Sequence, residues 1–210
     1  GLDQSLWIQY TTYIGRALHG DLGFSYRKQI GVTELILSRI PFTFALIFAG
    51  IFVELCIGLT VGVLSAVDRG NLPDRVGTII SLVGISAPPF WLGLLFLYWF
   101  GFLVPIFPLG GASSASSIVL PALTAGLGGA AWYARMMRSS MLDILAADYV
   151  RTSRAKGLPY SLSVLRHALP NALNPIITMA GMDIPWFISG IVIVERVFNW
   201  PGVGRMSVEA

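Results

Sequence analysis

The chain has 210 residues, of which 55% are hydrophobic and 12% charged, with a mean hydropathy of +0.72. That charge is about half of what a soluble globular domain carries, which excludes water as the main solvent. The net charge of +3 calls for no nucleic acid, because basic residues in a membrane chain mark the cytoplasmic side; one cysteine, Cys56, excludes an internal disulfide or a cysteine metal cluster.

In chain order, Leu6, Trp7, Tyr10, Ile14, Ala17 and Leu18 recur at helical spacing. They predict an amphipathic helix, lying on the membrane or against the bundle, within a separate segment 1–34. A first span follows at 41–67, with Pro41 suited to its opening turn. Gly58 and Gly62 offer a surface where helix backbones approach closely, Cys56 is expected as a buried packing residue, and Glu54 falls mid-span. The span ends at Asp68-Arg69-Gly70-Asn71.

From Val76 to Ala134 no residue is charged, a run far longer than the roughly 20 residues that cross a bilayer as a helix. Turn chemistry at Pro105, Pro108, Gly110, Gly111 and the serine-rich 113–117 divides it into spans 76–104 and 118–134. Inside the first of these, Ser86-Ala87-Pro88-Pro89-Phe90-Trp91 removes two backbone donors and predicts a kink or break. Both a structural kink and a broken helix lining a solute path fit that pattern. Gly126, Gly129 and Ala130 offer a second small-residue surface, and the fourth span, 171–194, carries Asp183 near its middle. Helices are preferred to strands because the runs lack the alternation of a membrane barrel. The fold class is all-α, a polytopic transmembrane helical bundle forming one domain over 35–210.

The short loop with Arg69 and Arg75 and the long loop 135–170 with Arg135, Arg138, Arg151, Arg154, Lys156 and Arg166 share one side, the cytoplasmic one; the turn at 105–117 has no basic residue. The segment ahead of the first span then lies outside despite Arg16, Arg27, Lys28 and Arg39, since long translocated segments follow the rule poorly. The chain begins at Gly1 without a basic leader and stops without a flanking charge cluster, so truncation at both ends is expected.

Two carboxylates within spans are costly and point to a solute path or a gate, or to a structural role against a neighbouring helix. Ser86, Pro88, Pro89, Glu54 and Asp183 are therefore the candidate translocation-path residues. Catalysis finds no support: His19 and His167 lie outside the spans, no histidine or cysteine group has metal-ligand spacing, and no phosphate-cradling G-x-x-x-x-G-K-[ST] loop occurs. If the chain pumps, its energy comes from a partner.

The long basic loop reads as a helix through Lys156, a break at Gly157-Leu158-Pro159, and a second helix from Tyr160 to Leu169-Pro170. Gly157 suits the left-handed conformation that ends a helix, and Pro159 prevents continuation. An ordinary basic loop drawn to anionic lipid is one reading. A rigid helix-turn-helix that fits a partner's groove and passes its motion to the next span is the other.

These residues resemble the signature loop of binding-protein-dependent ABC importer permeases, in which an E-A-A triplet precedes the glycine and I-x-L-P closes the loop. Arg151-Thr152-Ser153 stands at the triplet and His167 at the isoleucine, departures similar to those of the dipeptide, oligopeptide and nickel permease subfamily. Gly1-Leu2-Asp3-Gln4, Gly20-Asp21-Leu22-Gly23, Phe90-Trp91-Leu92-Gly93, Val194-Glu195 and Trp200-Pro201-Gly202-Val203-Gly204-Arg205 resemble the first of the two permeases in such systems.

The resemblance implies a type I ABC importer transmembrane domain lacking a flanking span at each end. Arg151, Thr152, Ser153, Arg154, Ala155, Lys156, Gly157 and Leu158 would form the coupling helix that docks into a cytoplasmic ATPase. A second homologous permease, two ABC ATPase subunits and an extracytoplasmic solute-binding protein would complete the transporter in a bacterial or archaeal cytoplasmic membrane. The chain itself would bind no cofactor, ATP being hydrolysed by the partners. Short peptides are the expected cargo, with nickel or another small solute as the alternative. A secondary transporter or channel coupled to ions through Glu54 or Asp183, and a scaffold that moves nothing, are the readings from other classes.

Overall fold

The structure, a computed structural model, describes residues 3–210; Gly1 and Leu2 of the leading tetrapeptide lie outside the described residues. Helix α1 (Leu6–Leu18) leads into a short antiparallel hairpin, β1 (Phe24–Ser25) and β2 (Ile30–Gly31), a small sheet that the helical periodicity did not announce. The apolar side of α1 is open within this chain, with Leu6 and Leu18 more than four-fifths exposed.

Helix α2 (Val32–Val67) has 36 residues, about 54 Å at 1.5 Å per residue. It starts nine residues ahead of the expected span, and Pro41 sits in its interior instead of its opening turn. The residues from Val32 to Ile40 hold no breaker, so the helix absorbs the proline without the hydrogen bond its ring removes. Cys56 is exposed, correcting the expectation that it is buried, because it faces away from the side carrying Glu54 and Gly58.

The stretch 76–104 is not one continuous helix. Helix α3 (Leu72–Ser86) stops and α4 (Pro89–Phe96) starts at an angle of 105°. Ala87 is extended, as a residue before proline is pushed to be, and neither Pro88 nor Pro89 can donate to the preceding turn. A π-helical segment, Leu97–Leu103, prolongs α4, and a 3-10 turn, Ala115–Ile118, is capped reciprocally by Ser114 and Ser117.

Helix α5 (Val119–Leu145) overruns the expected end at Ala134, placing Arg135 and Arg138 on a helix and not in a loop; charge alone does not break a helix. Beyond it come α6 (Asp148–Ala155), α7 (Tyr160–Ser163), a π-helical turn (Val164–Ala168), α8 (Leu169–Ala172), α9 (Asn174–Val197) and α10 (Val203–Glu209). Helix α9 bends by 61° at Pro185. Among the described residues, α2 and the helix ending at Leu145 are each long and apolar enough to cross a bilayer, and the two bent pairs raise the number to four.

Helices α2 and α5 form the spine, meeting along the small residues the sequence singles out. A Cβ built on Gly58 would stand 2.6 Å from the Tyr133 Cβ, and one on Gly62 2.6 Å from the Met137 Cβ, so only glycine permits that approach. Two apolar clusters flank the seam. Leu46, Ile47, Leu120, Phe187, Val194 and Phe198 fill the end near α10, and Tyr133, Met137, Met141, Val150, Val164 and Ile176 the end near α6.

Candidate coupling helix and translocation cavity

Helix α6 divides by face. Val150 and Ser153 are buried, whereas Arg151, Thr152, Arg154, Ala155, Lys156 and Gly157 are exposed and Leu158 is half-buried. Val150, 1% exposed, enters the same cluster as Met137 and Met141 of α5 and Val164 of the returning turn. The inward side is therefore rooted in the bundle while the outward side is free and basic.

A closed turn follows. The Gly157 N–H donates to the Arg154 carbonyl (2.9 Å) and the Leu158 N–H to the Ser153 carbonyl (3.3 Å), with Gly157 at φ +88°. This is the paired-bond ending that a left-handed glycine allows, as the sequence predicts. Ser153 does not belong to the outward face: its hydroxyl bonds Ser163 (3.0 Å) and the Val150 carbonyl (2.8 Å), pinning α6 to α7. The Arg154 guanidinium rests 5.1 Å from the Tyr160 ring centre, which orients it without neutralising its charge. Arg151 and Asp148 approach at 3.9 Å, both largely solvated, a contact worth little.

Midway along the bundle a cavity of about 520 Å3 lies between the α2–α5 spine, the end of α3 and α9. Glu54, Asp183 and Pro89 line it, three of the five path residues read from the sequence. Ser86 and Pro88 instead face a groove on the far side of the bend, with Leu82, Phe90 and Trp91. Tyr133 was not anticipated: its hydroxyl donates to Asp183 from α5 to α9. Glu54 is 4% exposed and packs on Gly129, where a Cβ would overlap its carboxylate.

Two polar joints also escaped the sequence reading. Arg138 of α5 forms a forked pair with Asp74 of α3 (2.6 and 2.8 Å), and the Gly70 N–H donates to the same carboxylate (2.9 Å). At the opposite end Glu195 is wholly buried. It accepts from the Thr43 hydroxyl (2.7 Å) and from the Arg205 N–H (2.8 Å), while Gly202 and Gly204 leave room for its carboxylate. The Trp200 indole N–H closes onto the Phe42 carbonyl (2.9 Å). The Arg205 side chain bonds Glu209 (2.7 Å) and holds that carboxyl below its usual range. The segment Val194 to Arg205 thus ties α9 and α10 to α2.

Residues 58–210 match the family described as the binding-protein-dependent transport system inner membrane component. Over all 210 residues, covering 69% of the relative, the chain is 41% identical to the glutathione transport system permease protein GsiC of Salmonella choleraesuis (strain SC-B67). It is 40% identical over the same shares to the protein of that name from Escherichia coli (strain K12). Among solved structures it is similar to the MetNI methionine ABC transporter in an inward-facing conformation, with TM-score 0.68 and 23% identity over 83% of this chain and 79% of that one. It is also similar to an amino acid ABC transporter, with TM-score 0.62 and 18% identity over 84% and 78%. Those structures share the fold, and the sequence relatives share the role. The chain belongs to the family of inner-membrane components of binding-protein-dependent transport systems and is a permease subunit of an ABC importer.

Proposed function

We propose that the chain carries short peptides of about the size of glutathione across the cytoplasmic membrane of a bacterium, paired with a second permease. Two ABC ATPases on separate chains drive it, hydrolysing ATP without a nucleotide site here, and an extracytoplasmic solute-binding protein supplies the cargo. In this reading the α6 end is cytoplasmic and the Glu195 end faces outward. The glutathione permeases among its relatives support a peptide cargo over nickel.

One observation carries the mechanism: α6 is exposed and basic on one face and anchored through Val150 in the core of α5 on the other. A partner that moves α6 must move the spine. Closure of the ATPases would shift the paired bundles between inward-open and outward-open states, which is a population shift driven from a distance. Glu54, Asp183 and Pro89 would then border the path.

The test reverses Arg154 and Lys156 to glutamate, and separately makes Gly157→Pro, in the full transporter in membrane vesicles. Peptide uptake is expected to fall by about tenfold or more, the size of losing one charge-assisted contact, while the ATPases still hydrolyse ATP. Coupled uptake at the wild-type rate in both variants overturns the assignment.

A further inference from the structure

The cavity between the spine and α9 has an unusual balance of charge. Glu54 and Asp183 both line it, and no lysine, arginine or histidine does so among the described residues. Asp183 is partly satisfied by the Tyr133 hydroxyl. Glu54 is not: its Oε2 is buried and has no hydrogen-bond partner among the described residues. Of the two arginines further along α5, Arg138 pairs with Asp74 and Arg135 lies against the ring of Trp132, itself at the cavity wall, at 5.5 Å.

A buried carboxyl oxygen without a partner is costly, and buried polar groups in folded chains are nearly always paired. With no donor supplied from the protein side, Glu54 is left to what enters the cavity. Two carboxyl groups beside a phenol suit a group that is positively charged and rich in donors. A hard metal ion would require six or more oxygens, which these walls of Ala87, Ala125, Phe187 and Ile191 do not offer. A primary ammonium, with three donors and a single charge, matches what is present. The volume of about 520 Å3 falls within the roughly 300–1,000 Å3 of small-molecule sites, and the apolar walls leave the remainder of a short peptide in contact with side chains.

We propose that Glu54 and Asp183 receive the free α-ammonium of a peptide in transit, so that the membrane passage itself distinguishes a free amino terminus from a blocked one. This rests on the reading of the chain as a peptide permease.

The experiment uses the complete assembly of permeases and ATPases in nanodiscs without the solute-binding protein, so that selection by that protein cannot intervene. Radiolabelled glutathione and its N-acetylated form are the probes. The free amine is expected to bind the wild type at least about tenfold more tightly, the effect of one hydrogen bond to a charged group. In Glu54→Gln and in Asp183→Asn the ratio is expected to fall within about twofold, with co-elution of the ATPases as the check on assembly. Equal or undetectable binding of both probes by the wild type overturns the proposal, as does a wild-type ratio in an assembled variant. If Glu54→Gln does not assemble, Asp183→Asn decides; if neither does, the wild-type ratio decides. ATPases that fail to associate with wild-type α6 sink the underlying reading, whereas intact association with no preference for the free amine sinks only this site.

Discussion

Glu195 and Glu54 are both carboxylates enclosed by the bundle, and their surroundings differ in kind. Around Glu195 each oxygen has a donor, Thr43 on one side and the Arg205 N–H on the other. The residue therefore serves as a clasp. Thr43→Val keeps the shape and deletes the donor, which leaves a buried acceptor short of a partner and costs about 1–3 kcal/mol. The expected outcome is a lower melting temperature of the purified transporter, with Thr43→Ser close to wild type. None of this was legible from spacing: the motif around Glu195 was recognised by likeness alone, and its partner stands 152 positions away. Glu54 and Asp183 were legible because charge in an apolar run is rare, whereas Tyr133, an ordinary amphipathic aromatic, gave no signal that it bonds Asp183.

Among the elements, the break after α3 was foreseen and its size was not. Two prolines in sequence forbid continuation, but the 105° angle depends on where α4 finds packing. It finds it at Gly93, where a Cβ would meet Phe198 and Val197 at 3.1 Å. The opposite end of α3 is held by Asp74 and Arg138. Removing that fork with Asp74→Asn is expected to loosen α3 from α5 and to lower the melting temperature by a few °C, on the order of what a single lost interaction gives. Exchanging the two residues should restore much of it, and a thermal-shift series on the single and exchanged variants measures both. The ending of α6 was read correctly because glycine and proline act locally. The length of α5 was not, because counting arginines assigns a side of the membrane and says nothing about where a helix stops.

For the molecule as a whole, α2 and α5 are continuous and the elements on either side of the cavity are bent, α3–α4 at Ala87-Pro88 and α9 at Pro185. Hinges of this kind alter turnover and apparent affinity together when mutated. Pro185→Ala restores a backbone donor to α9, and uptake is expected to slow at both limiting and saturating peptide with the ATPases still bound. Transport kinetics in vesicles that match the wild type would remove Pro185 from the cycle. The sequence revealed four apolar stretches and a basic turn; which stretches bend in concert around a common void is a property of packing, and single-residue patterns do not encode it.

The glycine contacts between α2 and α5 carry a mechanical corollary. Gly58, Gly62 and Gly126 bring two backbones together with no side chain of their own between them, so neither rod slides or splays without forcing out Tyr133 or Met137. If α6 is the coupling helix proposed above, a pull delivered through it would turn both as one crank. The space behind Glu54 would then open and shut as α3–α4 and α9 flex against that crank, like jaws working on a fixed anvil.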